Sequence, residues 1–419
     1  MRIAQKTIDD MFMAAARLEP PARDIEMRFA LSCEKSKTLE AMIRLAKTDK
    51  RVILDYHLLD WDPLLVGVLN GVIDLRTCTF RLGAREDYVT KRCKVIYDPA
   101  ATCPNWEATQ EKFSGVHEGL VAFKQRMMGT CLSGLSLDAL LMTHGDGDNN
   151  KTTEMETLYY LLGDYAHTAD AGILVSTKDL NGPRPELIAT IGRRAIFINE
   201  CPQGAALNEQ RVKSMCCDDT QSARDLNSKT VNWKPTHKLW LRTNHKPKVR
   251  DTTHGMWKRL QYIPYTVKNM PSEIIKDYRE KYLMPELSGI LNWLLKGWKD
   301  FYEGELKLRA PLCVQLGNEQ YRKDSDITGR WIEACIEKAP DTERVVLKEL
   351  QAAYVNWFQD EIGEKFNIQA QTLSAILKEL KFPWVKGHGG LTFFTGIRLK
   401  NRNDELDAKL DVPLTQTGY

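Results

Sequence analysis

Thr143-His-Gly-Asp-Gly-Asp-Asn-Asn-Lys-Thr-Thr153 follows the apolar run Leu140-Leu-Met142 and precedes Met155-Glu-Thr-Leu-Tyr-Tyr-Leu-Leu162, and that order decides the fold. The first run suits a short buried strand and the last has the apolar spacing of a helix. Strand, glycine-bearing loop, Lys-Thr and helix is the layout of a phosphate-binding loop. Such a loop turns backbone N–H groups inward, adds the positive end of a helix dipole, and brings a lysine and a hydroxyl to the terminal phosphates and Mg²⁺. The pattern G-x-x-x-x-G-K-[ST] wants a glycine where Asn150 stands. After glycine, asparagine best tolerates a left-handed backbone, so the loop can still close. The alternative is a plain polar turn before a helix, and the residues downstream discriminate.

Two later strands end on polar residues. Arg193-Arg-Ala-Ile-Phe-Ile-Asn-Glu200 reads as a buried strand stopping at Asn199-Glu200. Ligands gather at the carboxyl ends of parallel strands, and a glutamate there can polarise water for attack on a phosphate. An exposed strand end is the other reading. His237-Lys-Leu-Trp-Leu-Arg-Thr-Asn244 is a further strand, whose Asn244 either senses the terminal phosphate or caps a turn. In Gly255-Met-Trp-Lys-Arg-Leu-Gln-Tyr-Ile-Pro-Tyr265, Lys258 and Arg259 stand beside an apolar strand, where a basic residue can reach a neighbouring subunit's nucleotide. Loop, Glu-ended strand, Asn-ended strand and basic finger in this order point jointly to nucleotide hydrolysis.

The 419 residues are enough for two or three domains. The ten cysteines form no C-x-x-C pair, which argues against zinc and a secreted disulfide framework and makes a reducing cytoplasm the expected location. No run approaches a membrane span, and Met-Arg-Ile-Ala-Gln-Lys lacks a signal peptide's apolar core. The net charge of +3 says nothing about nucleic acid, but nine Lys/Arg stand against one acid between Lys229 and Arg259.

Periodic apolar positions predict helices through Ile8–Leu18, Ile25–Leu31 and Leu39–Leu45. A β-hairpin is expected over 64–75 around Asn70-Gly71, with short strands at 79–82 and 88–90. Helices are expected at 106–112 and 119–130, a strand at Ile173–Val175 and a helix stub at 186–191. Helices between 273 and 298 form a lid. Three helices (330–336, 348–361, 371–380) and the Gly-tipped hairpin 384–398 suggest a winged helix, a DNA-groove reader or a protein-docking module. Its candidate DNA contacts are Lys378, Lys381, Lys386 and His388.

The whole order resembles the superfamily 3 helicases, in particular the C-terminal half of the phage/plasmid primase-helicases related to the poxvirus primase-helicase. Leu69-Asn-Gly-Val-Ile-Asp-Leu75, Tyr97-Asp-Pro-Ala and Cys103-Pro-Asn-Trp106 look like that family's amino-terminal module. Gly145, Asp146, Gly147, Asp148, Asn149, Asn150, Lys151, Thr152 and Thr153 resemble its phosphate loop. Pro185-Glu-Leu, Asn199-Glu200, Lys213, Ala223-Arg224, Thr243-Asn244-His-Lys-Pro247, Trp257-Lys-Arg-Leu and Pro285–Trp293 follow its later motifs. The departures are Asn150, Asn199 where an acid is usual, and Cys216-Cys217-Asp218 where Gly-Gly-Asp is usual.

The resemblance implies an α/β fold: an AAA+-like P-loop core with a lid (116–310), preceded by a helical and small-β module (1–115) and followed by the winged helix (320–400) and a polar tail (401–419). It implies a homo-hexameric ring with ATP and Mg²⁺ between subunits, moving on single-stranded or forked DNA. In it Lys151 stabilises the β/γ-phosphates, Thr152 and Glu200 serve the Mg²⁺, Glu200 orients water, Asn244 senses the γ-phosphate and Arg259 acts in trans. A hairpin from Arg224-Asp-Leu226 and Thr230–Trp233, turning at Asn227-Ser228-Lys229, projects into the channel, with Arg224 and Lys229 on DNA phosphates. No polymerising acid cluster is evident, so the primase half, and a primase or polymerase partner, are expected outside this sequence. The alternative function is a non-motor replication initiator or loader with a degenerate nucleotide site.

Overall fold

In the computed structural model, residues 2–50, 53–175, 182–225, 229–249, 254–363 and 368–400 are described. The tail 401–419, Leu226 to Ser228 of the expected hairpin turn and Arg250 of the basic run lie outside them. The chain divides into two compact units, residues 1–62 with 83–90, and 63–82 with 91–419.

The first unit holds three helices, α1 (Arg2–Ala15), α2 (Ala22–Cys33) and α3 (Ser36–Ala46). Ala4 and Ile8, one turn apart, meet Leu39 in a small core with Phe12, Cys33 and Ile43 against it. Tyr88–Thr90, expected as a strand, is a loop. Tyr88 turns left-handed at φ 49°, and Thr90 N–H bonds the Asp60 carboxylate at 2.8 Å instead of joining a ladder.

The second unit begins with β1 (Leu65–Val68), β2 (Gly71–Asp74) and β3 (Thr79–Arg81), an antiparallel meander. Val68 pairs with Gly71, so the two turn residues are Leu69 and Asn70. Helices α4 (Pro104–Ser114) and α5 (Leu120–Thr130) follow; proline at the first helical position starts α4 two residues before the expected Trp106.

Next come β4 (Leu140–His144), α6 (Lys151–Leu162), β5 (Ala166–Ala169), α7 (Pro185–Ile188), β6 (Ala195–Ile198), α8 (Glu209–Cys216), β7 (Gln221–Arg224), β8 (Thr230–Trp233), β9 (Lys238–Thr243), α9 (His254–Trp257) and β10 (Leu260–Pro264). Five of these strands form one all-parallel sheet in the order β10-β4-β9-β6-β5. The near-continuous apolar runs of β4, β6 and β9 suit a sheet covered on both faces. Leu141, Phe197 and Trp240 enter the core beneath α5, α6 and α10 (Leu287–Glu303), while Met142, Ile196, Ile198, Leu239 and Leu241 enter the other. The fold is thus mixed α/β with a five-stranded parallel sheet.

The strand expected at Ile173–Val175 is not one. Ala171–Ile173 form a 3₁₀ turn, Val175 makes a single bridge to Leu207, and the edge strand is the less apolar Ala166–Ala169. The hairpin strand placed at 224–226 runs over Gln221–Arg224, pairing Arg224 with Thr230.

The chain closes with α11 (Leu312–Ser325), α12 (Ile327–Cys335), β11 (Ile336–Lys338), β12 (Arg344–Val346), α13 (Leu347–Ile362), α14 (Ala370–Glu379), β13 (Trp384–Lys386), β14 (Thr392–Thr395) and β15 (Ile397–Leu399). Trp331, Leu350, Tyr354, Phe358, Leu373, Leu377 and Phe394 give this segment its own apolar core. A three-stranded sheet β12-β14-β13 and the pair β11-β15 stand beside its helices.

Candidate nucleotide-binding cleft

The sheet order builds the site. Strand β9 lies between β4, which feeds the loop, and β6, which ends at Glu200. Asn244 therefore emerges next to both, at the carboxyl edge where crevices of parallel sheets form. Lys151, Glu200 and Asn244 line one cleft of about 530 Å³ with Gly147 to Thr153, Arg242, and residues of α4 and the 269–278 segment.

The loop closes as Asn150 permits. Asn150 sits at φ 65°, in the left-handed region, and α6 starts on the next residue. No side chain caps that helix, so its first N–H groups stay turned to the cleft, where an anion would satisfy them. Among the described residues the buried Asn150 side-chain amide nitrogen has no hydrogen-bond partner, and Asn150 lines the cleft. Gly145 leaves no room for a side chain: a Cβ there would stand 2.2 Å from the Tyr265 carbonyl oxygen. Asn149, 3% exposed, donates to the carbonyls of Asp146 and Tyr265, bracing the loop against the chain beyond β10. Lys268 pairs with Asp146 at 2.9 Å, which turns that carboxylate to the outer side of the loop.

Lys151 is 4% exposed and donates to the carbonyls of Gly145 and Asp146 and, at 2.9 Å, to Asn244 Oδ1. Burial lowers its ammonium to about 8, partly offset by the nearby carboxylates of Glu200 and Asp146. Glu200 Oε1 accepts from the Asn244 backbone N–H at 3.3 Å. Thr152 is exposed into the same cleft. Lysine, hydroxyl, carboxylate and amide thus converge on a space beneath an uncapped helix N-terminus. This donor set is of the kind that fits a nucleoside triphosphate, and Thr152 and Glu200 are the oxygen donors that could hold an accompanying Mg²⁺.

Other cleft residues escaped the sequence. Arg242 lies two positions before Asn244, hence on the same strand face, which was a usable signal. It donates to Asn199 Oδ1 at 3.2 Å. Lys112 bridges Asn269 and Glu273 across the mouth at 2.9 and 3.2 Å, and Thr109 meets the Tyr278 hydroxyl at 3.0 Å. Only the tertiary structure brings α4 and the 269–278 segment here.

Arg259 does not line the cleft. It precedes β10 at the opposite, amino edge of the sheet, where its guanidinium contacts the Asp138 carboxylate, the Gly255 carbonyl and, at 3.1 Å, Cys217 Sγ. Lys258 pairs with the same Asp138 at 3.1 Å. Cys217 thereby gains a role as a contact of Arg259, while Cys216 is core.

The basic run does not form one face. Lys238 is fully buried and donates to Ser133, Arg242 enters the cleft, Lys246 pairs with Asp324, and Lys234 pairs with Asp218. Arg224 and Lys229 are exposed on the β7–β8 hairpin. Lys386 is exposed on β13, and Lys378 lies over the Trp384 ring at 3.7 Å.

The parallel sheet, left-handed loop and buried lysine define the class: an α/β protein with a P-loop-like core. Sequence comparison carries this further. The family described as D5 N terminal like matches residues 2–115, a stretch that includes the cleft helix α4. Over 335 residues the chain is 26% identical to "Putative primase C962R" of African swine fever virus (isolate Tick/Malawi/Lil 20-1/1983), covering 74% of this chain and 35% of that protein. It is 26% identical over 324 residues to "Putative helicase L207/L206" of Acanthamoeba polyphaga mimivirus, covering 72% and 33%. The chain spans about a third of the length of these relatives. The solved apo structure of the NrS-1 C-terminal region aligns at TM-score 0.42 and 11% identity over 73% of this chain and 77% of that one. These sequence relationships support a primase-helicase-like family for the chain. Among the described residues no helix is long and apolar enough to cross a membrane.

Proposed function

We propose that this chain is the motor part of a replicative DNA helicase, hydrolysing ATP with Mg²⁺ and moving on single-stranded DNA as a ring of identical subunits. The observation that carries this is the convergence of Lys151, Glu200 and Asn244 in one cleft beneath the uncapped start of α6. Lys151 exchanges its carbonyl contacts for the β/γ-phosphates. Glu200 orients the attacking water, and Asn244, held by both, registers the terminal phosphate. Bound Mg²⁺ supplies charge neutralisation on the phosphates, with Thr152 and Glu200 as its protein contacts.

Arg259, remote from its own cleft, is assigned to the neighbour's nucleotide. To extend, it must give up Asp138, leaving that carboxylate to Lys258. Lys229 and Arg224 on the exposed hairpin are assigned to DNA phosphates. The last segment, three helices with a small sheet, is assigned as a winged helix with Lys378 and Lys386 toward DNA. The AAA+-like description of the core and the ring both belong to this proposal.

The test is DNA-stimulated ATP hydrolysis by the full chain and by Lys151→Ala. Hydrolysis is expected in the wild type and lost at least 100-fold in the variant, the order of a lost transition-state charge contact. Absence of hydrolysis in both, with DNA binding retained, would overturn the motor assignment in favour of a non-motor loader.

A further inference from the structure

Besides Lys151 and Lys112, which is paired with Glu273, the cleft holds a third cation, Arg242, and its bonding is unlike that of the other arginines near the sheet. Arg194 is buried in the core: it donates to the carbonyls of Leu132 and Leu65 and packs on the Tyr165 ring at 4.1 Å. Arg259 has a carboxylate, a carbonyl and a thiol. Arg242 is half-buried and makes one hydrogen bond, to the neutral amide of Asn199, and among the described residues no ion pair. A guanidinium carries five N–H donors in a planar fork suited to phosphate oxygens. Arg242 lines both the cleft and a second pocket that it shares with Phe197, Asn199 and Trp240, and among the described residues Asn199 takes up only part of that capacity.

The register explains why the two residues meet. Leu241 pairs with Ile198 and Arg242 with Thr143, so Arg242 leaves β9 level with the ends of β6 and β4, beside Asn199 and below the loop. An acid at position 199 would sit within 3.2 Å of the guanidinium and neutralise it. An amide accepts one hydrogen bond, fixes the direction of the side chain and leaves its charge intact.

We propose that Arg242 is a terminal-phosphate sensor acting in its own subunit, held ready by Asn199, which makes the cleft prefer a nucleoside triphosphate over the diphosphate. Lys151, at the loop, serves both nucleotides in this reading, whereas Arg242 shares the cleft with Glu200 and Asn244, the two residues assigned above to the terminal phosphate. This rests on the nucleotide reading of the cleft.

The experiment measures affinity of the full chain for the non-hydrolysable β,γ-imido analogue of ATP and for ADP, both with Mg²⁺, by titration calorimetry. Arg242→Gln is expected to weaken the triphosphate analogue about 10- to 100-fold, the worth of a charged hydrogen bond, and to leave ADP within about twofold. Arg242→Lys is expected to recover part of the loss. Asn199→Asp, which keeps the arginine but neutralises it, is expected to lower the preference in the same direction, and it serves if Arg242→Gln unfolds. A wild type that binds neither nucleotide sinks the nucleotide reading itself. A wild type that binds both, with Arg242→Gln retaining the preference or losing both nucleotides equally, sinks the sensor alone.

Discussion

Lys151 shows what burial does to a lysine proposed to bind phosphate. With its ammonium lowered to about 8 in the free protein, the charged form dominates at neutral pH and is lost as pH rises through 8. Bound phosphate favours the charged form and raises that value again, so binding above pH 8 requires proton uptake. Nucleotide affinity is therefore expected to be flat from pH 6.5 to 7.5 and to fall by up to tenfold per pH unit above 8. Titration calorimetry in buffers of different ionisation enthalpy would show the proton uptake, and a flat affinity to pH 9.5 would contradict it. The two loop glycines separate just as clearly. Gly145→Ala drives a Cβ into the Tyr265 carbonyl, whereas a Cβ at Gly147 meets nothing within 4 Å. The first is expected to cost about 1–3 kcal/mol and to abolish nucleotide binding, the second to stay within about 0.5 kcal/mol, measured by urea denaturation.

At the scale of elements, the loop is braced from behind by a buried polar network. Lys124 on α5 and Glu154 in the first turn of α6 are both fully buried, with the ammonium 2.8 and 2.9 Å from the two carboxylate oxygens. Tyr265 after β10 donates its hydroxyl to Glu154 at 3.0 Å, and its ring lies 4.5 Å from the Lys124 ammonium. Its carbonyl is the same one that holds Asn149. Three elements thereby fix the start of α6 and the loop together. Removing one ion of a buried pair leaves the other unmatched, so Lys124→Met is expected to destabilise by about 3–5 kcal/mol. The double variant Lys124→Met with Glu154→Leu is expected to recover much of that loss. A double variant less stable than the single one in urea denaturation would refute this account.

For the whole molecule the decisive question is how sites combine. If Arg259 serves a neighbour's cleft, Arg259→Ala and Lys151→Ala subunits are each inactive alone. Mixed, they are expected to regain part of the wild-type hydrolysis, because some interfaces then pair an intact Lys151 with an intact Arg259. Mixtures without activity, in assemblies shown to contain both variants by mass, would remove Arg259 from the trans role. For DNA, Lys229→Ala is expected to weaken binding evenly across sequences. It should lower the slope of log affinity against log salt by about 0.7, the value for one phosphate contact on a single strand.

Much of this was legible in the residues. Apolar runs located four of the five sheet strands, and the order of loop, Glu200 and Asn244 marked the cleft, because local patterning and chain order survive folding. The asparagine at 150 was readable as a left-handed substitute for glycine because backbone preference is local. The strand at Ala166–Ala169 was not, since too few apolar residues mark an edge strand, while Ile173–Val175 is apolar for packing rather than pairing. The basic run between Lys229 and Arg259 read as one feature and became several. In a buried strand the pleat and its neighbours send successive cations to a core carbonyl, a cleft or a surface acid. What the sequence alone determined is the glycine-bearing loop, its left-handed Asn150 and the order along the chain of loop, Glu200-ended strand and Asn244-ended strand. That Arg242 stands in the cleft, that α4 and the 269–278 segment wall it, and that Arg259 is tied to Asp138 at the far edge were decided only by strand order and helix packing. Contacts between distant residues depend on which strands become neighbours, and no local pattern encodes that.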